Sequence, residues 1–394
     1  MSQITPPLDV SALRAGFPSL SADRVYLDNP GGTQVHQTAI DAMTGYLRES
    51  NANLGGPFAT SVASDRMLAG ARGDLAALLG ASPGEIAFGA NMTTLTMHAA
   101  RTLCRDLGPG DEVLLTGLDH DANIAPWLLA AADRGVTVHQ AGIDLETCLI
   151  DVDDFAGKLS DRTRVAAFGW ASNGAGTVND VARLLELTRA AGALSYVDAV
   201  HYAPHGAIDV AALGCDFLVC SAYKFFGPHV GVLFGRRDLL EQHRPYKVRP
   251  ASDVPPGSWE TGTVNLEGIA GAAAAARYLT SLGMDAVQAT EQALTVQLIE
   301  GLDGIPGVTV YGTRDLAQRV PTVVFTVAGR TPADVSGALA ERDIFVWDGN
   351  YYAMELMQRL GLDEHGGAVR VGAVHYNTAA EIDRFLEAVA DQAS

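Results

Sequence analysis

The chain of 394 residues is 48% hydrophobic, which supplies far more apolar side chains than one minimal core needs and indicates a large enzyme-sized unit or two domains. Only 19% of residues are charged, and 46 Asp and Glu against 27 Lys and Arg give a formal net charge of -19. This composition excludes disorder as the main state. It also argues against nucleic acid or an anionic membrane surface as a partner, because the protein's negative charge would repel both.

No segment of the sequence is suited to cross a membrane. Ile86–Ala100 and Val165–Asn179 are among the longest stretches without a charged residue, and polar side chains interrupt both, whereas a membrane helix needs about 20 mostly apolar residues. Residues 1–20 lack the basic start and apolar centre of a signal peptide, so we expect a cytoplasmic protein. The four cysteines are scattered without a CxxC pair and are expected to be buried free thiols.

Short β-rich runs alternate with helix-like runs between about Ser82 and Gly235. This alternation predicts an α/β fold in which helices cover both faces of a mostly parallel sheet. The predicted strands are Glu112–Thr116, Val136–His139, Arg164–Trp170, Ala193–Val197, Phe217–Cys220 and Val230–Phe234. The predicted helices between them are Ala122–Ala132, Asp153–Leu159 and Asp180–Ala191.

The pattern changes at the Pro-rich segment Arg249–Gly257, and we predict a domain boundary near Trp259–Thr263. The predicted organisation is an N-terminal arm packing with the small domain at 1–20, a large cofactor-binding domain at 21–260 and a small α+β domain at 261–394. The small domain is predicted to contain strands Pro321–Val327 and Val369–Val374 and helices Ala333–Arg342 and Ala379–Asp391.

Four polar clusters directly follow strands of the predicted sheet. They are Gly117–Asn123 (GLDHDAN), Ala171–Gly176 (ASNGAG), Asp198 at the end of SYVD, and Ser221–Lys224 at the end of LVCSAYK. Ligands of open α/β sheets bind outside the carboxyl ends of the strands. We therefore expect the four clusters to converge on one rim of the sheet and to form a site there.

Two charged residues on this rim suggest a particular chemistry. Lys224 follows an apolar strand and precedes Phe225 and Phe226, so its amine is expected to enter a partly dry site. A desolvated lysine has a lowered pKa and can act as a Schiff-base nucleophile, although an ordinary surface lysine would also fit this position. Asp198 could hold the protonated pyridine nitrogen of pyridoxal 5′-phosphate (PLP), or it could cap a helix.

Further residues suit an aromatic, phosphorylated cofactor. His120 could stack on an aromatic ring or relay protons, although a loop histidine can be purely structural. Asn91, Met92 and Thr93 lie where a predicted strand ending at Phe88 meets a helix. Free backbone N–H groups and a hydroxyl at a helix start suit a phosphate, and ordinary N-capping would look similar.

Together these motifs resemble a fold-type I PLP-dependent enzyme of the class V aminotransferase family and, within it, the cysteine desulfurase-like proteins. The resemblance extends from VYLDNPGGT at Val25 to HYNT at His375 and includes DHDANIAPW, SNGAGT, VDAVH, SAYKFFGP, ETGTVN and VRVGAVHYNT in the family's order. It implies a large domain with a mostly parallel seven-stranded sheet, a smaller α+β C-terminal domain, PLP as the cofactor and an amino acid as the substrate.

The resemblance also implies how the cofactor is held. SAYKFFGP makes Lys224 the lysine that forms the Schiff base, with Ser221 and Tyr223 on the cofactor's phosphate. VDAVH places Asp198 on the pyridine nitrogen and His201 on the side of the cofactor that carries its phenolic oxygen.

Other matching segments imply contacts with the substrate and with a second subunit. His120 in DHDANIAPW is the residue expected to stack on the cofactor ring, and Asn173 in SNGAGT approaches the phenolic oxygen or the substrate carboxylate. Arg370 in VRVGAVHYNT is assigned to the substrate α-carboxylate, for which a bidentate guanidinium is suited. Thr263 in ETGTVN would reach the phosphate of the neighbouring subunit, which implies a homodimer.

Residues 349–354 depart from the family pattern. Cysteine desulfurases carry a cysteine in a G-H-H-C-A-M-like loop, and this cysteine attacks the substrate sulfur and becomes a persulfide. The chain reads GNYYAM here and has Tyr352 in place of the cysteine. A phenol cannot accept sulfur as a thiolate does, so Tyr352 is expected either to protonate a leaving group or to line the pocket as a packing aromatic.

The favoured function is therefore a C–S lyase that eliminates the β-substituent of cysteine or an S-conjugate, because loss of this substituent needs no persulfide. Transamination and epimerisation of an amino acid remain alternatives. A catalytically inactive binding partner is the non-enzyme alternative, but it would need none of Lys224, Asp198 and Arg370.

Two unrelated chemistries match parts of the same rim. Ser221–Lys224 satisfies the S-x-x-K pattern of serine acyl-transferases, but the accompanying S-D-N and K-T-G elements are absent from the sequence. A zinc site could draw on His120, Asp121, His201 and His205, but these residues lack a recognised ligand spacing. We predict neither an acyl-transferase nor a bound metal.

Overall fold

The computed structural model describes residues 8–21 and 23–393. The strands are β1 (Val25–Tyr26), β2 (Ile86–Gly89), β3 (Glu112–Thr116), β4 (Thr137–Ala141), β5 (Ile143–Asp144), β6 (Leu149–Ile150), β7 (Thr163–Gly169), β8 (Leu194–Asp198), β9 (Phe217–Ser221), β10 (Gly231–Gly235), β11 (Val308–Tyr311), β12 (Thr322–Val327), β13 (Ile344–Phe345), β14 (Trp347–Gly349) and β15 (Ala368–Gly372). The helices are α1 (Val10–Arg14), α2 (Gln37–Glu49), α3 (Ala59–Leu79), α4 (Met92–Leu103), α5 (Ala125–Arg134), α6 (Val152–Lys158), α7 (Val181–Ala190), α8 (Val210–Leu213), α9 (Arg237–Gln242), α10 (Leu266–Leu282), α11 (Met284–Asp303), α12 (Pro332–Ala340), α13 (Met354–Arg359) and α14 (Ala379–Gln392).

Seven strands form the large sheet in the order β2-β10-β9-β8-β7-β3-β4. The strands from β9 to β4 pair in parallel, and β10 is antiparallel to both of its neighbours. Successive residues of each strand enter opposite cores. On β9, Phe217 and Val219 belong to one hydrophobic cluster, and Leu218 and Cys220 belong to the other. A strand that is buried on both faces must be apolar along its whole length, and the strands predicted from the sequence are apolar in this way. The predicted α/β fold with a mostly parallel sheet is confirmed.

The predicted helices differ from the observed ones by up to three residues at their ends, and the largest shift is at the start of the helix predicted at Ala122–Ala132. Residues Asp121–Asn123 form a short 3-10 turn, and the α-helix begins only at Ala125. Pro126 lies in the first turn of α5, where its missing N–H costs no hydrogen bond. The polar residues after β3 are therefore held in a separate turn at the rim.

Helix α10 belongs structurally to the large sheet layer. It packs against α2 and α3, and its alanines are buried in the same cluster as the inner residues of those helices. The boundary predicted at 260/261 precedes this helix. Because Ala-rich faces permit close helix packing, residues 266–282 pack with the large domain. The chain passes from the large layer to the small layer near Gly283.

The smaller layer is a four-stranded antiparallel sheet in the order β11-β12-β15-β14. Helices α11, α12 and α14 cover it. The N-terminal segment joins this layer, because β1 pairs in parallel with β13 and Arg14 forms a 3.0 Å ion pair with Glu381. Residues 1–7 of the predicted arm lie outside the described residues.

Within residues 8–21 and 23–393, no helix combines the length and the apolar character that a membrane crossing requires.

The turn that follows β7 touches the small sheet through Gly176. Gly176 has φ +74°, and a Cβ at this position would overlap the backbone oxygen of Thr322 at the start of β12. The amide of Val320 also donates to the carbonyl of Gly176 at 2.9 Å. A residue without a side chain therefore allows the turn that carries Asn173 to lie directly against the small sheet.

We predict that Gly176→Ala lowers the free energy of unfolding by about 3 kcal/mol or more, because backbone overlap adds to the cost of the left-handed conformation. Gly192→Ala is the matched control: Gly192 has φ +75° but open space around its Cβ position, so its loss should be about 1 kcal/mol. Denaturant unfolding of the two variants measures the difference. Equal losses would show that the contact with Thr322 does not constrain the turn.

Candidate active site

An open cavity lies at the carboxyl ends of β3, β7, β8 and β9. Each of the four predicted polar clusters contributes to its lining, represented by His120, Asn173, Asp198 and Lys224. The start of helix α4 closes one side of the cavity. A cleft at the carboxyl ends of the strands of an α/β sheet is a typical place for a small-molecule site.

Lys224 lies at the end of a 3-10 turn directly after β9. Its side chain is buried, and its Nζ donates a hydrogen bond to the carbonyl oxygen of Pro30. Burial and, to a lesser extent, the positive charge of Arg370 together lower the pKa of Lys224 to about 7, although the carboxylate of Asp198 acts in the opposite direction. The amine is therefore substantially uncharged near neutral pH, which is the form that can act as a nucleophile or a base.

Asp198 ends β8 and is buried at the floor of the cavity. Its Oδ1 accepts a 2.8 Å hydrogen bond from the amide of Val200, in a turn rather than in a helix. Burial raises the pKa of Asp198 to about 6, while this amide and the charge of Lys224 lower it. The carboxylate is thus mostly ionised at neutral pH and can accept a hydrogen bond from a protonated ring nitrogen.

Asp119 is a second buried carboxyl group at the cavity, and the sequence reasoning missed it. It accepts a hydrogen bond from Thr116 and lies 3.4 Å from the side-chain amide of Asn123. Burial raises the pKa of Asp119 to about 8, and the negative charge of Asp198 adds to this shift. Asp119 is therefore largely protonated at neutral pH. The sequence signal for Asp119 was its position in the polar cluster DHDAN after a buried strand. That position does not reveal which polar side chain of the cluster is buried.

His120 presents a neutral ring to the cavity. Its Nδ1 accepts a 3.0 Å hydrogen bond from the amide of Ala122. Burial lowers the pKa of His120 to about 4, and the charges of Lys224 and Arg370 contribute in the same direction. The ring also stacks on Tyr352, with centroids 5.2 Å apart and an interplanar angle of 28°.

The start of α4 joins the end of β9 at one side of the cavity. Asn91 caps the helix by accepting a 2.9 Å hydrogen bond from the amide of Thr94, and the amide of Met92 donates to Ser221 Oγ at 2.9 Å. Tyr223 and Thr93 line the same cavity. A helix N-terminus with neighbouring hydroxyl groups is a suitable phosphate site.

The contacts of Ser221 and Lys224 also bear on the S-x-x-K alternative. Ser221 Oγ accepts from the amide of Met92, and Lys224 Nζ donates to Pro30. The two side chains are therefore engaged with separate backbone groups rather than with each other.

Arg370 comes from β15 of the small sheet and is buried beside the cavity. Its Nη1 donates a 2.7 Å hydrogen bond to the carbonyl oxygen of Asn173, and its guanidinium lies 4.3 Å from the ring centroid of Tyr351. Burial lowers the pKa of Arg370 to about 10, so the side chain stays positively charged. Arg370 Nε and Asn173 Oδ1 are buried and have no hydrogen-bond partner among the described residues.

Two histidines of the zinc alternative have other contacts. His201 lines the cavity, and its Nε2 lies 3.0 Å from Thr322 Oγ1. His205 Nδ1 lies 2.7 Å from Glu291 Oε2, where it joins the large domain to α11. Within the described part of the chain, no group of three or more His, Cys, Asp or Glu is arranged to hold a metal ion.

Thr263 is not brought to this cavity by its own chain. It is exposed and lines a separate depression beside Phe88. The role implied for it requires a second subunit.

The cavity fits PLP by the chemistry of its donors. The ionised carboxylate of Asp198 lies at the floor of the cavity, and the neutral ring of His120 lies on one side. The start of α4, with its neighbouring hydroxyl groups, can bind a phosphate. The unpartnered Arg370 Nε and Asn173 Oδ1 are a donor and an acceptor that a bound polar group can satisfy. The residues that would hold the cofactor are Lys224, Asp198, His120, His201, Asn173, Ser221, Tyr223, Asn91, Met92 and Thr93.

Comparisons with known proteins agree with this fold and give its family. The chain matches the aminotransferase class-V family over residues 25–385. It is 35% identical to the aminotransferase-like protein FGM3 of Gibberella zeae, over 96% of this chain and 97% of that protein. It is 31% identical to a cysteine desulfurase of Pectobacterium carotovorum subsp. carotovorum, over 96% of each chain. The apo structure of a cysteine desulfurase from Thermococcus onnurineus NA1 matches with a TM-score of 0.92 and 27% identity, over 100% of this chain and 99% of that one.

The fold and the site therefore define a fold-type I PLP-dependent enzyme. The chain belongs to the class V aminotransferase family and is cysteine desulfurase-like. The resemblance inferred from the motifs is confirmed, and with it the cofactor and the enzymatic nature of the protein.

We predict that acylation of Lys224 in the cofactor-free protein increases as the pH rises through about 7, because only the uncharged amine reacts. Mass spectrometry after brief treatment with acetic anhydride measures the midpoint. In Asp198→Asn the midpoint should move to lower pH, because the carboxylate that favours the charged amine is lost. A midpoint near the ordinary lysine value would contradict the dry, positively charged environment.

Proposed function

We propose that the protein is a PLP-dependent C–S lyase, which eliminates the β-substituent of cysteine or of an S-substituted cysteine. The proposal is supported by the buried Lys224, Asp198 and Arg370, which suit amino-acid chemistry at Cα, and by our sequence-based expectation that Tyr352 stands where desulfurases carry the sulfur-accepting cysteine. Elimination releases the sulfur directly and therefore needs no thiolate acceptor.

The state of the four cysteines supports this proposal. All are free and buried, and none lines the cavity. Burial raises the pKa of each thiol, to about 11 for Cys148 and to about 12 for Cys104, Cys215 and Cys220. A buried, protonated thiol is a poor nucleophile and cannot receive sulfur from a substrate.

Each of the three charged residues at the site can have a separate role in the reaction of a substrate amino acid. PLP, when bound, withdraws the negative charge that develops at Cα, and Asp198 holds its pyridine nitrogen in the protonated form that this requires. Arg370 binds the α-carboxylate, for which its Nε–H has no other partner among the described residues. Lys224, with its lowered pKa, removes the Cα proton and can return one.

Tyr352 lies next to His120 at the edge of the cavity and is not itself among the residues that line the cavity. Its side chain is 65% exposed and stacks on His120, and its carbonyl oxygen accepts a 2.7 Å hydrogen bond from the amide of Asp121. We propose that its ring borders the space into which the substrate side chain extends. A phenol at this edge of the cavity is also within the region from which a leaving group departs, so a role in protonating that group stays compatible with its position.

Transamination is the second candidate, because the relative with 35% identity is named an aminotransferase-like protein rather than a desulfurase. The same Lys224, Asp198 and Arg370 would serve that reaction. Epimerisation also needs only proton transfer at Cα.

We also propose a homodimer. Thr263 is exposed in the single chain and lies outside the cavity, which is consistent with a contact to the phosphate site of a second copy.

For the purified, PLP-loaded protein, we predict that L-cysteine and S-substituted cysteines change the visible absorption and release pyruvate and ammonia in equal amounts. Coupled assays for pyruvate, ammonia, sulfide and alanine follow the products. Release of alanine with sulfur left on the protein would overturn the lyase proposal. A keto acid that forms only with an added amino-group acceptor would favour transamination.

Replacement of the loop tyrosine provides a matched test. We predict that Tyr352→Cys introduces a reactive thiol at the edge of the cavity, so that part of the sulfur from L-cysteine appears as a protein persulfide with alanine as the second product. The parent should form no persulfide under the same conditions. Mass spectrometry of the intact protein, without reductant, measures the added sulfur. A persulfide on the parent protein would contradict the inference that the four buried cysteines cannot accept sulfur from the substrate.

A further inference from the structure

Tyr351, the neighbour of Tyr352, packs under the arginine at the site. Its ring centroid lies 4.3 Å from the guanidinium carbon of Arg370, whereas the Tyr352 ring stacks on His120. We propose that Tyr351 is a positioning residue that fixes the guanidinium of Arg370 for a substrate α-carboxylate. This inference rests on the proposed function in one respect, namely that Arg370 receives the carboxylate.

The placement of Tyr351 follows from the geometry of the small sheet. Ala368 and Arg370 lie two residues apart on β15, so their side chains point to the same face. The Tyr351 hydroxyl donates to the carbonyl oxygen of Ala368, and its ring reaches the guanidinium of Arg370. Tyr351 is thus anchored at one end to the strand that carries the arginine and touches the arginine with its ring.

A closed set of contacts joins Tyr351, Arg370 and Asn173. Arg370 Nη1 donates to the carbonyl oxygen of Asn173 at 2.7 Å, and Asn173 Nδ2 donates to the carbonyl oxygen of Tyr351 at 2.8 Å. The ring of Tyr351 on Arg370 completes the circuit. Both acceptors in this circuit are backbone carbonyls, so a substitution of Tyr351 removes its ring from Arg370 and keeps the acceptor for Asn173.

The backbone of this loop is held in an unusual conformation. Tyr351 and Tyr352 have φ of 54° and 59°, a region that non-glycine residues adopt at a cost. The amide of Tyr352 donates to Asn350 Oδ1 at 3.1 Å, and the amide of Ala353 donates to the carbonyl of Asn350 at 2.8 Å. A loop held against this cost directs the two adjacent rings to two different targets, Arg370 and His120.

The face of Arg370 that Tyr351 leaves free suits a carboxylate. One Nη1 bond goes to Asn173, while Nε is buried without a partner among the described residues. An aromatic ring stabilises a guanidinium through cation–π attraction without using any of its N–H donors. Tyr351 can therefore hold the side chain in place and leave donors available for a bidentate bond.

Titration of the PLP-loaded protein with L-alanine and with ethylamine tests this proposal, because the two probes differ only in the carboxylate. Visible absorption gives each dissociation constant. We expect Tyr351→Leu to raise the constant for L-alanine about tenfold and that for ethylamine less than twofold. Tyr351→Phe, which keeps the ring and loses the bond to Ala368, should raise the L-alanine constant about threefold. A purely structural role would raise both constants alike, and this result would overturn the proposal.

Tyr246→Leu is the matched control, because Tyr246 also stacks on arginines, with centroid distances of 4.7 Å to Arg101 and 5.0 Å to Arg105, but lines no part of the site cavity. Its constants should equal those of the parent. Crystal structures of the PLP-loaded Tyr351 variants give a test without substrate. The proposal expects the guanidinium in Tyr351→Leu to leave the carbonyl oxygen of Asn173, and an unmoved Arg370 would overturn it. If the parent itself bound L-alanine no better than ethylamine, the carboxylate role of Arg370 in the proposed function would fail, whereas a displaced guanidinium would still support the positioning role.

Discussion

The burial of an amine between a carboxylate and a guanidinium is the constraint on which the site depends. Lys224 is removed from water, its pKa falls to about 7, and Asp198 and Arg370 act on it in opposite directions. A charged group without solvent requires fixed partners. The three elements that carry these residues, the turn after β9, the end of β8 and strand β15, must therefore keep their relative positions for the amine to keep its properties.

These three residues come from both layers of the protein, which explains why the contact between the layers is so closely packed near the site. The turn of residues 172–176 lies against the start of β12 through Gly176, and Asn173 in the same turn binds both Arg370 and the 350–353 loop. Arg370, which belongs to the small sheet, therefore lies beside a site whose other residues belong to the large domain. A movement of the small sheet would change the charge next to Lys224 as well as the carboxylate site.

Patterns local in sequence predicted much of this arrangement. Apolar strands followed by polar clusters indicated the parallel sheet and its rim, and the structure brings those clusters to one cavity. Features that depend on packing were beyond these patterns. The attachment of α10 to the large layer is decided by which apolar face meets α2 and α3. The burial of Asp119 is decided by the closure of the turn after β3. Neither can be read from residue spacing, because both depend on partners that are distant along the chain.

The 350–353 loop illustrates how two adjacent residues can divide two functions. In this loop a positive φ at both tyrosines sends one ring inward to Arg370 and leaves the next ring exposed above His120. The inner position contacts the arginine proposed to bind the carboxylate group common to amino acids, whereas the outer position contacts His120, beside which we propose that the substrate side chain extends. A change of the outer residue can therefore alter what happens to the leaving group while the inner contact preserves recognition of the amino acid. We propose that Tyr352 stands where desulfurases carry the sulfur-accepting cysteine, which would change the fate of the sulfur and leave the chemistry at Cα to Lys224, Asp198 and Arg370.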